Sequence, residues 1–287
     1  MMSITRNQQL TCQQLEELNL LCADCKATDC NIVAIYKHLL SQNRPTSCNL
    51  LYYHRKQLIG FLSTFFFYED ACEVPLMVAP AFRKQGIAKR MLREILPLIA
   101  TDRIKSLLFS SPNGLNDPWL LTRGFNYQSS EYQMQKWQNE RMVERNNSLV
   151  IRLATPADLP AICAIDGACF QQTLDDMSIR LHTLLHEPNY SVFIALKEGE
   201  PIGKAHIHLT SDGARLSDIA IIPPFQGQGL GTAVLTHCIN YCLTAKQSNI
   251  VLDVETNNQL ALRLYTRLGF VISNAYDFWS IPVKKLR

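Results

Sequence analysis

The sequence predicts a mixed α/β fold: a mainly antiparallel sheet with flanking helices, built twice along the chain. Three observations carry this. Strand-like and helix-like segments interleave, with hairpins early and a β-α-β-α-β run late in each half. Two unrelated segments recur as a pair. VAPAFRKQGIAKRML around Gly86 returns as AIIPPFQGQGLGTAVL around Gly229, and NGLNDPWLLTRGF around Gly124 returns as NNQLALRLYTRLGF around Gly269. The two recurrences keep nearly one spacing, 143 residues for the first and 145 for the second. Solenoid repeats run to roughly 20–50 residues, so a period this long repeats a whole domain. The 287 residues also suit about two domains. The polar stretch QNERMVERNN is the expected linker at 138–147, which leaves domains at 1–137 and 148–287.

The second half shows its elements most clearly. Leu149–Leu153 reads as a strand. Thr155, Pro156 and Asp158 open a helix that runs to Phe170, and a second helix is expected over Asp175–Leu185. Tyr190–Leu196 and Pro201–Leu209 form a hairpin about the EGEP turn. Leu216–Ile222 is a strand stopped by Pro223 and Pro224. A helix follows from Gly229 to Ala245, with Leu230, Val234, Cys238 and Tyr241 at helical spacing. Asn249–Val254 is a buried strand, Asn258–Leu268 a helix ended by Gly269, and Phe270–Pro282 one or two closing strands.

Composition bounds the function. Lys and Arg number 28 against 25 Asp and Glu, a net charge of +3, too weak a field to point to nucleic acid. Apolar residues make up 47% and charged residues 18%, so a core is available and bulk disorder is excluded. The richest apolar stretch, Phe61–Tyr68, is broken by Ser63 and Thr64 and falls short of the roughly 18 residues of a membrane helix. MMSITRNQQL has no apolar signal region, so a cytoplasmic protein without membrane partners is expected. The ten cysteines read as reduced thiols. Cys22, Cys25, Cys30 and Cys48 lack the second matched pair that a zinc site uses, and Cys22 and Cys25 fit a helix as small apolar residues. His206 and His208 share one strand face without a third ligand nearby, so no metal is expected.

The motif with most chemistry is Gln226-Gly227-Gln228-Gly229-Leu230-Gly231, between a strand and an amphipathic helix. Its glycines allow a tight turn and close backbone approach, and N–H groups at a helix start suit a pyrophosphate. It is not a P-loop, and no acidic residue follows as a dinucleotide site requires. Joined to Asn-x-x-Ala-x-x-Leu-Tyr-x-x-x-Gly-Phe, it resembles the GCN5-related N-acetyltransferase (GNAT) family. The residues carrying the resemblance are Ile219-Ala220-Ile221, Pro223, Gln226, Gly229, Gly231, Asn258, Ala261, Leu264, Tyr265, Gly269 and Phe270. The two-domain plan is similar to tandem acetyltransferases of the mycothiol synthase type. The second half is similar to ribosomal-protein alanine acetyltransferases.

The resemblance implies acetyl-CoA as co-substrate, its pyrophosphate on the amides of Gln226, Gly227, Gln228, Gly229, Leu230 and Gly231. Its amide-rich arm would pair with the strand edge Ile219, Ala220, Ile221, and Asn258 and Tyr265 would complete the site. It further implies direct attack of an amine on the thioester, with Tyr265 protonating the departing thiolate. Read alone, Tyr265 is sooner a half-buried core tyrosine, and it is the resemblance that makes it functional. In the ribosomal-protein enzymes an acidic proton acceptor stands five residues before the asparagine. Asp253 holds that place here, one methylene shorter than glutamate and acting through a water. Asp218 and Glu255 are rivals, and each also reads as a solvated carboxylate.

The first half keeps Pro80, Arg83, Gly86 and Ala88. A second cofactor site is therefore expected over Val78, Arg83, Lys84, Gln85, Gly86, Ile87 and Ala88. Leu120 and Leu108 stand where Tyr265 and Asp253 do, and Pro118 delays the helix, which Asn116 or Asp117 would cap. The first domain is thus expected to be catalytically degenerate. The acceptor is an amine, a small molecule or a protein N-terminus, met by the segment Gln171–Met177 with Asp175 and Asp176. The other reading of the chain is an acyl-CoA-binding regulatory or scaffold protein without turnover. Neither the acceptor nor the oligomeric state is written in the sequence.

Overall fold

The computed structural model describes residues 2–44, 48–99, 103–144, 149–170, 184–185, 187–210 and 212–286. It divides into two compact units, neither continuous in sequence. The first comprises Met1–Tyr132, Glu255–Asn257 and Asn274–Arg287; the second comprises Gln133–Val254 and Asn258–Ser273.

In chain order the first unit begins with β1 (Met2–Asn7), α1 (Cys12–Asp29), α2 (Lys37–Leu40), β2 (Asn49–His54) and β3 (Gln57–Ser63). It continues with β4 (Ala71–Glu73), β5 (Leu76–Val78), α3 (Ile87–Ile99), β6 (Ser106–Pro112) and α4 (Asp117–Thr122). β7 (Asn126–Trp137) then passes into the second unit. A reciprocal capping box of Thr11 and Gln14 starts α1, whose buried face carries Leu18, Leu21, Cys22 and Cys25 at helical spacing. Burial pushes the Cys22 thiol up to about 11, the opposite of an activated thiolate. Ile87, Met91, Ile95 and Ile99 form the inner stripe of α3. Strands β1, β2, β3 and β5 pair antiparallel in that order, while β4 runs parallel to β6. Asn116 stands before α4 without capping it, its amide donating instead to Ser111 Oγ at 3.0 Å.

The second unit holds β8 (Leu149–Leu153), α5 (Leu159–Phe170), β9 (Tyr190–Lys197), β10 (Glu200–Thr210) and β11 (Gly213–Ile221). Then come α6 (Leu230–Thr244), β12 (Asn249–Glu255), α7 (Gln259–Arg267) and one closing strand, β13 (Val271–Pro282), which returns to the first unit at Asn274. A short 3-10 turn, Pro156–Asp158, precedes α5, with Thr155 and Asp158 capping each other reciprocally. The hairpin of β9 and β10 turns on Glu198 and Gly199, both at positive φ, the two-residue geometry that matches strand twist. β8, β9, β10 and β11 pair antiparallel in sequence order, and β12 joins β11 in parallel. Asp175, Asp176 and most of the second expected helix lie outside the described residues; Leu184 and Leu185 are helical.

Candidate active site

The second unit's parallel pair opens like a V. Among the described residues β12 bonds β11 only at Ala214↔Ile250 and Arg215↔Val251, although β11 continues to Ile221 along β10. Between Lys204↔Ala220 and His206↔Ser217 the register slips, placing Asp218 and Ile219 opposite Ala205. That bulge puts Asp218 at φ +48°, the left-handed region unusual for a residue within a strand. Ile222 N–H donates back to Ile202 O at 2.9 Å, so by strand alternation the Ile221 N–H faces the side that β12 has left.

The glycine loop follows at once. A 3-10 turn, Pro223–Phe225, leads into Gly227 at φ +75° and Gly229 at φ +78°, which opens α6 with no side chain capping it. A side chain added at Gly227 or Gly229 would meet only open space, so the loop faces outward with its N–H groups available. The Gln226 side chain does not point there: it donates to the Ile221 carbonyl at 2.7 Å and pins the loop to the strand end. Lys197 adds a cation, donating to Gln228 Oε1 at 3.2 Å. Loop and strand edge together fit an extended ligand that ends in a pyrophosphate.

Tyr265 lies on α7, whose N-cap Asn258 accepts from Ala261 N–H at 3.1 Å. The ring is buried edge-on to Phe270, and burial pushes the phenol up to about 12. Its hydroxyl has no hydrogen-bond partner among the described residues. The inner stripe of α7 runs through Tyr265 to Leu268 just past its end, whereas Leu260 in its first turn is 74% exposed. Leu264, half-buried, fits against Gly231 on α6, where an added side chain would stand 3.3 Å from its Cδ2. Asp253 forms an ion pair with Arg215 at the last β11–β12 rung, and Glu255 is exposed.

A buried polar chain lies beside the bulge, and two of its members, Asp166 and Lys204, escaped the sequence reading. Asp166 of α5 and Lys204 of β10 form an ion pair with both side chains at most 1% exposed. Lys204 Nζ lies 3.4 Å from His206 Nε2. His206 Nδ1 stands 3.0 Å from the Tyr190 hydroxyl and 3.3 Å from Asp218 Oδ2. Burial pushes the His206 imidazole down, while Asp218 pulls it up less strongly. The signals were a lone Asp in the apolar helix LPAICAIDGACF and a Lys two residues before a His in a strand.

The first unit repeats the loop shape. Lys84 at φ +61° and Gly86 at φ +79° occupy the turn, and Arg83 Nε donates to the Val78 carbonyl at 3.0 Å, as Gln226 does to Ile221. The Arg83 guanidinium also forks onto Asp29 at 2.8 and 2.6 Å, so its charge is engaged away from the loop's N–H groups. Leu120 is buried where a tyrosine would stand, and Asn113 donates to Asp277 at 2.8 Å instead of capping a helix.

The family model described as Acetyltransferase (GNAT) family matches residues 13–113 and 159–270. The alanine N-acetyltransferase of ribosomal protein bS18 from Escherichia coli is 35% identical over 81 residues, 28% of this chain and 55% of that protein. Mycothiol acetyltransferase of Nocardiopsis dassonvillei is 30% identical over 124 residues, 39% of this chain and 37% of its own. The chain thus spans about half or less of these curated relatives. A GCN5-related N-acetyltransferase from Sphaerobacter thermophilus has a similar fold, with TM-score 0.74 at 14% identity over 98% of this chain and 96% of that one. A tandem GNAT protein from the clavulanic acid biosynthesis pathway superposes with TM-score 0.68 at 11% identity over 99% of each chain.

Proposed function

The chain belongs to the acetyltransferase (GNAT) family, with the domain present twice in tandem, and from that premise we propose that its second unit transfers an acetyl group from acetyl-CoA to an amine. The observation that carries the reading is the opening of β11 from β12 after Arg215, directly before the outward-facing glycine loop. In this reading the N–H groups of Gly227 to Gly231 hold the pyrophosphate, with Lys197 beside them. The free edge of Ile219–Ile221 orders the arm that carries the thioester. Acetyl-CoA supplies the activated acyl group; every other step belongs to the chain.

Transfer needs a neutral amine, a polarised carbonyl and a proton for the sulfur that departs. Tyr265 supplies that proton. A phenol held near 12 is a poor acid by itself, so Tyr265 works as a shuttle: it passes its proton to sulfur while taking one from the newly bonded nitrogen, and no phenolate builds up. Asp253, the carboxylate the ribosomal-protein enzymes suggest, is engaged by Arg215 and must break that pair to accept a proton. The acceptor is a small-molecule amine or a protein N-terminus, in keeping with the two kinds of relative matched in part. A cytoplasmic setting suits this reading.

The first unit favours a second reading for itself, binding without turnover. Its loop shape survives at Arg83–Ala88, whereas Leu120 removes the proton donor. Calorimetric titration of acetyl-CoA into the whole chain tests both. One site per chain, abolished by Gly229→Val, is the expected result for a working second unit beside a bracing first one. Two sites would assign the second to the loop after Val78. No heat at millimolar ligand would sink the acetyl-CoA reading.

A further inference from the structure

Within the second unit, we propose that Phe170, held beside the β11 bulge by Lys204, sets the length of the acyl group that is transferred. The inference rests on the acetyl-transfer reading above and adds to it a selector that admits acetyl and turns longer chains away.

Two ties place the last turn of α5. The Cys169 thiol donates to the Ile221 carbonyl at 3.6 Å, and that oxygen also accepts from Gln226 Nε2 at 2.7 Å. Burial pushes the thiol up, so it keeps its hydrogen and serves as a donor. One residue on, the Phe170 ring covers Lys204 Nζ, with 5.6 Å between nitrogen and ring centre. The same ammonium pairs with Asp166, one turn earlier on α5, and both side chains are at most 1% exposed.

Lys204 also tells which end of the strand edge the ring stands by. Its backbone lies opposite Ala220, whereas its Nζ reaches 3.4 Å from His206 Nε2, and the His206 backbone lies opposite Ser217. The ammonium therefore leans along β10 toward the bulge at Asp218 and Ile219, away from the glycine loop. Phe170 goes with it. An arm paired to the Ile219–Ile221 edge, with its pyrophosphate on the loop, carries its thioester at that same end. A ring 39% exposed there is the wall that an acyl chain meets. Acetyl ends in a methyl group, and each further methylene has to displace the ring. Displacement is resisted, because it uncovers a buried ammonium and gives up a cation–π contact made stronger by desolvation.

The buried pair makes sense as a fixture for that wall. A buried ion pair is a weak source of stability, since desolvation offsets much of the attraction, and apolar residues of similar volume often do as well. What they could not supply is a cation beneath the ring, fixed in direction by a carboxylate on the ring's own helix. Lys204 and Asp166 are accordingly positioning residues.

Binding of acyl-CoA reads the selector without knowledge of the acceptor. Acetyl-, propionyl- and butyryl-CoA are titrated calorimetrically into the whole chain and into three variants: Phe170→Ala, Phe170→Leu and the double variant Asp166→Leu/Lys204→Met. One methylene in a fitted pocket is worth about 10–200-fold, so the wild-type chain should bind butyryl-CoA at least about 10-fold more weakly than acetyl-CoA. Phe170→Ala should cut that preference about 10-fold, and Phe170→Leu, which keeps apolar cover, by less. The double variant should lose selectivity while its urea midpoint stays at or above that of the wild type, a split that a purely structural pair would not give. Butyryl-CoA bound as tightly as acetyl-CoA by the wild-type chain overturns the proposal and leaves acetyl transfer standing. So does a preference that survives Phe170→Ala or the double variant. A wild-type chain that binds none of the three overturns the acetyl-transfer reading and this one with it.

Discussion

Burial and chemistry pull Tyr265 in opposite directions. A phenol packed beside Phe270 gains apolar contact, but its hydroxyl has no hydrogen-bond partner among the described residues. A fold choosing for stability alone would place phenylalanine there. Tyr265→Phe should therefore leave the denaturation midpoint unchanged or slightly raised, because no hydrogen bond is lost. It should leave acetyl-CoA affinity unchanged as well, and lower kcat by about 10²-fold, the usual worth of a positioned acid. Steady-state kinetics and calorimetry on one preparation decide it: an undiminished kcat removes Tyr265 from the reaction. Gln226 teaches the complementary lesson. It belongs to the motif, but its side chain holds the Ile221 carbonyl and so builds the loop, leaving the backbone for a ligand.

Among elements, β10 and β11 leave no room for a side chain at Gly203. A methyl there would lie 2.5 Å from Ile221 Cδ1 and 2.6 Å from the Ala220 carbonyl oxygen, and the backbone atom cannot swing aside. Gly203→Ala should cost about 1–3 kcal/mol in urea unfolding and weaken acetyl-CoA binding, since it pushes on the strand whose free edge forms the site. A variant with wild-type stability would show that the strands separate without cost. Local chemistry of this kind decides what the sequence makes legible. The turn before α6 shows through Gly227 and Gly229, whose positive φ asks for glycine, and the inner face of α1 through Leu18, Leu21, Cys22 and Cys25 at helical spacing. The equivalent turn before α3 uses Lys84 at φ +61°, a conformation its side chain does not announce. The Asp218 bulge depends on the register of β10 against β11, and burial of Asp166 depends on Lys204 arriving from a different element. Long-range pairing leaves no periodic trace in sequence.

For the whole molecule, the ends of the two repeats matter most. The chain's last segment, Asn274–Arg287, belongs to the first unit. Ile281 and Val283 sit in the first unit's core, and β13 pairs β6 from Tyr276↔Pro112 to Pro282↔Ser106. Asn274 exchanges two hydrogen bonds with the Ile32 backbone, at 2.9 and 3.1 Å. Asp277, buried, accepts from Asn113 Nδ2 and Gly114 N–H, each at 2.8 Å. Truncation after Ser273 therefore removes a strand, two core side chains and a buried acceptor from the first unit, and each loss alone costs about 1–5 kcal/mol. Against a typical domain stability of about 5–15 kcal/mol, the sum unfolds that unit. The second unit keeps α6, its glycine loop, the β11 edge and α7, all of which lie before the cut. Hydrogen exchange read by mass spectrometry should show amides of β2, β3 and α3 losing protection in the truncated chain, while those of β10, β11 and α6 keep theirs. Protection retained throughout the first unit would mean that the returning strand is an accessory to its core; protection lost equally in both would mean that the units fold as one.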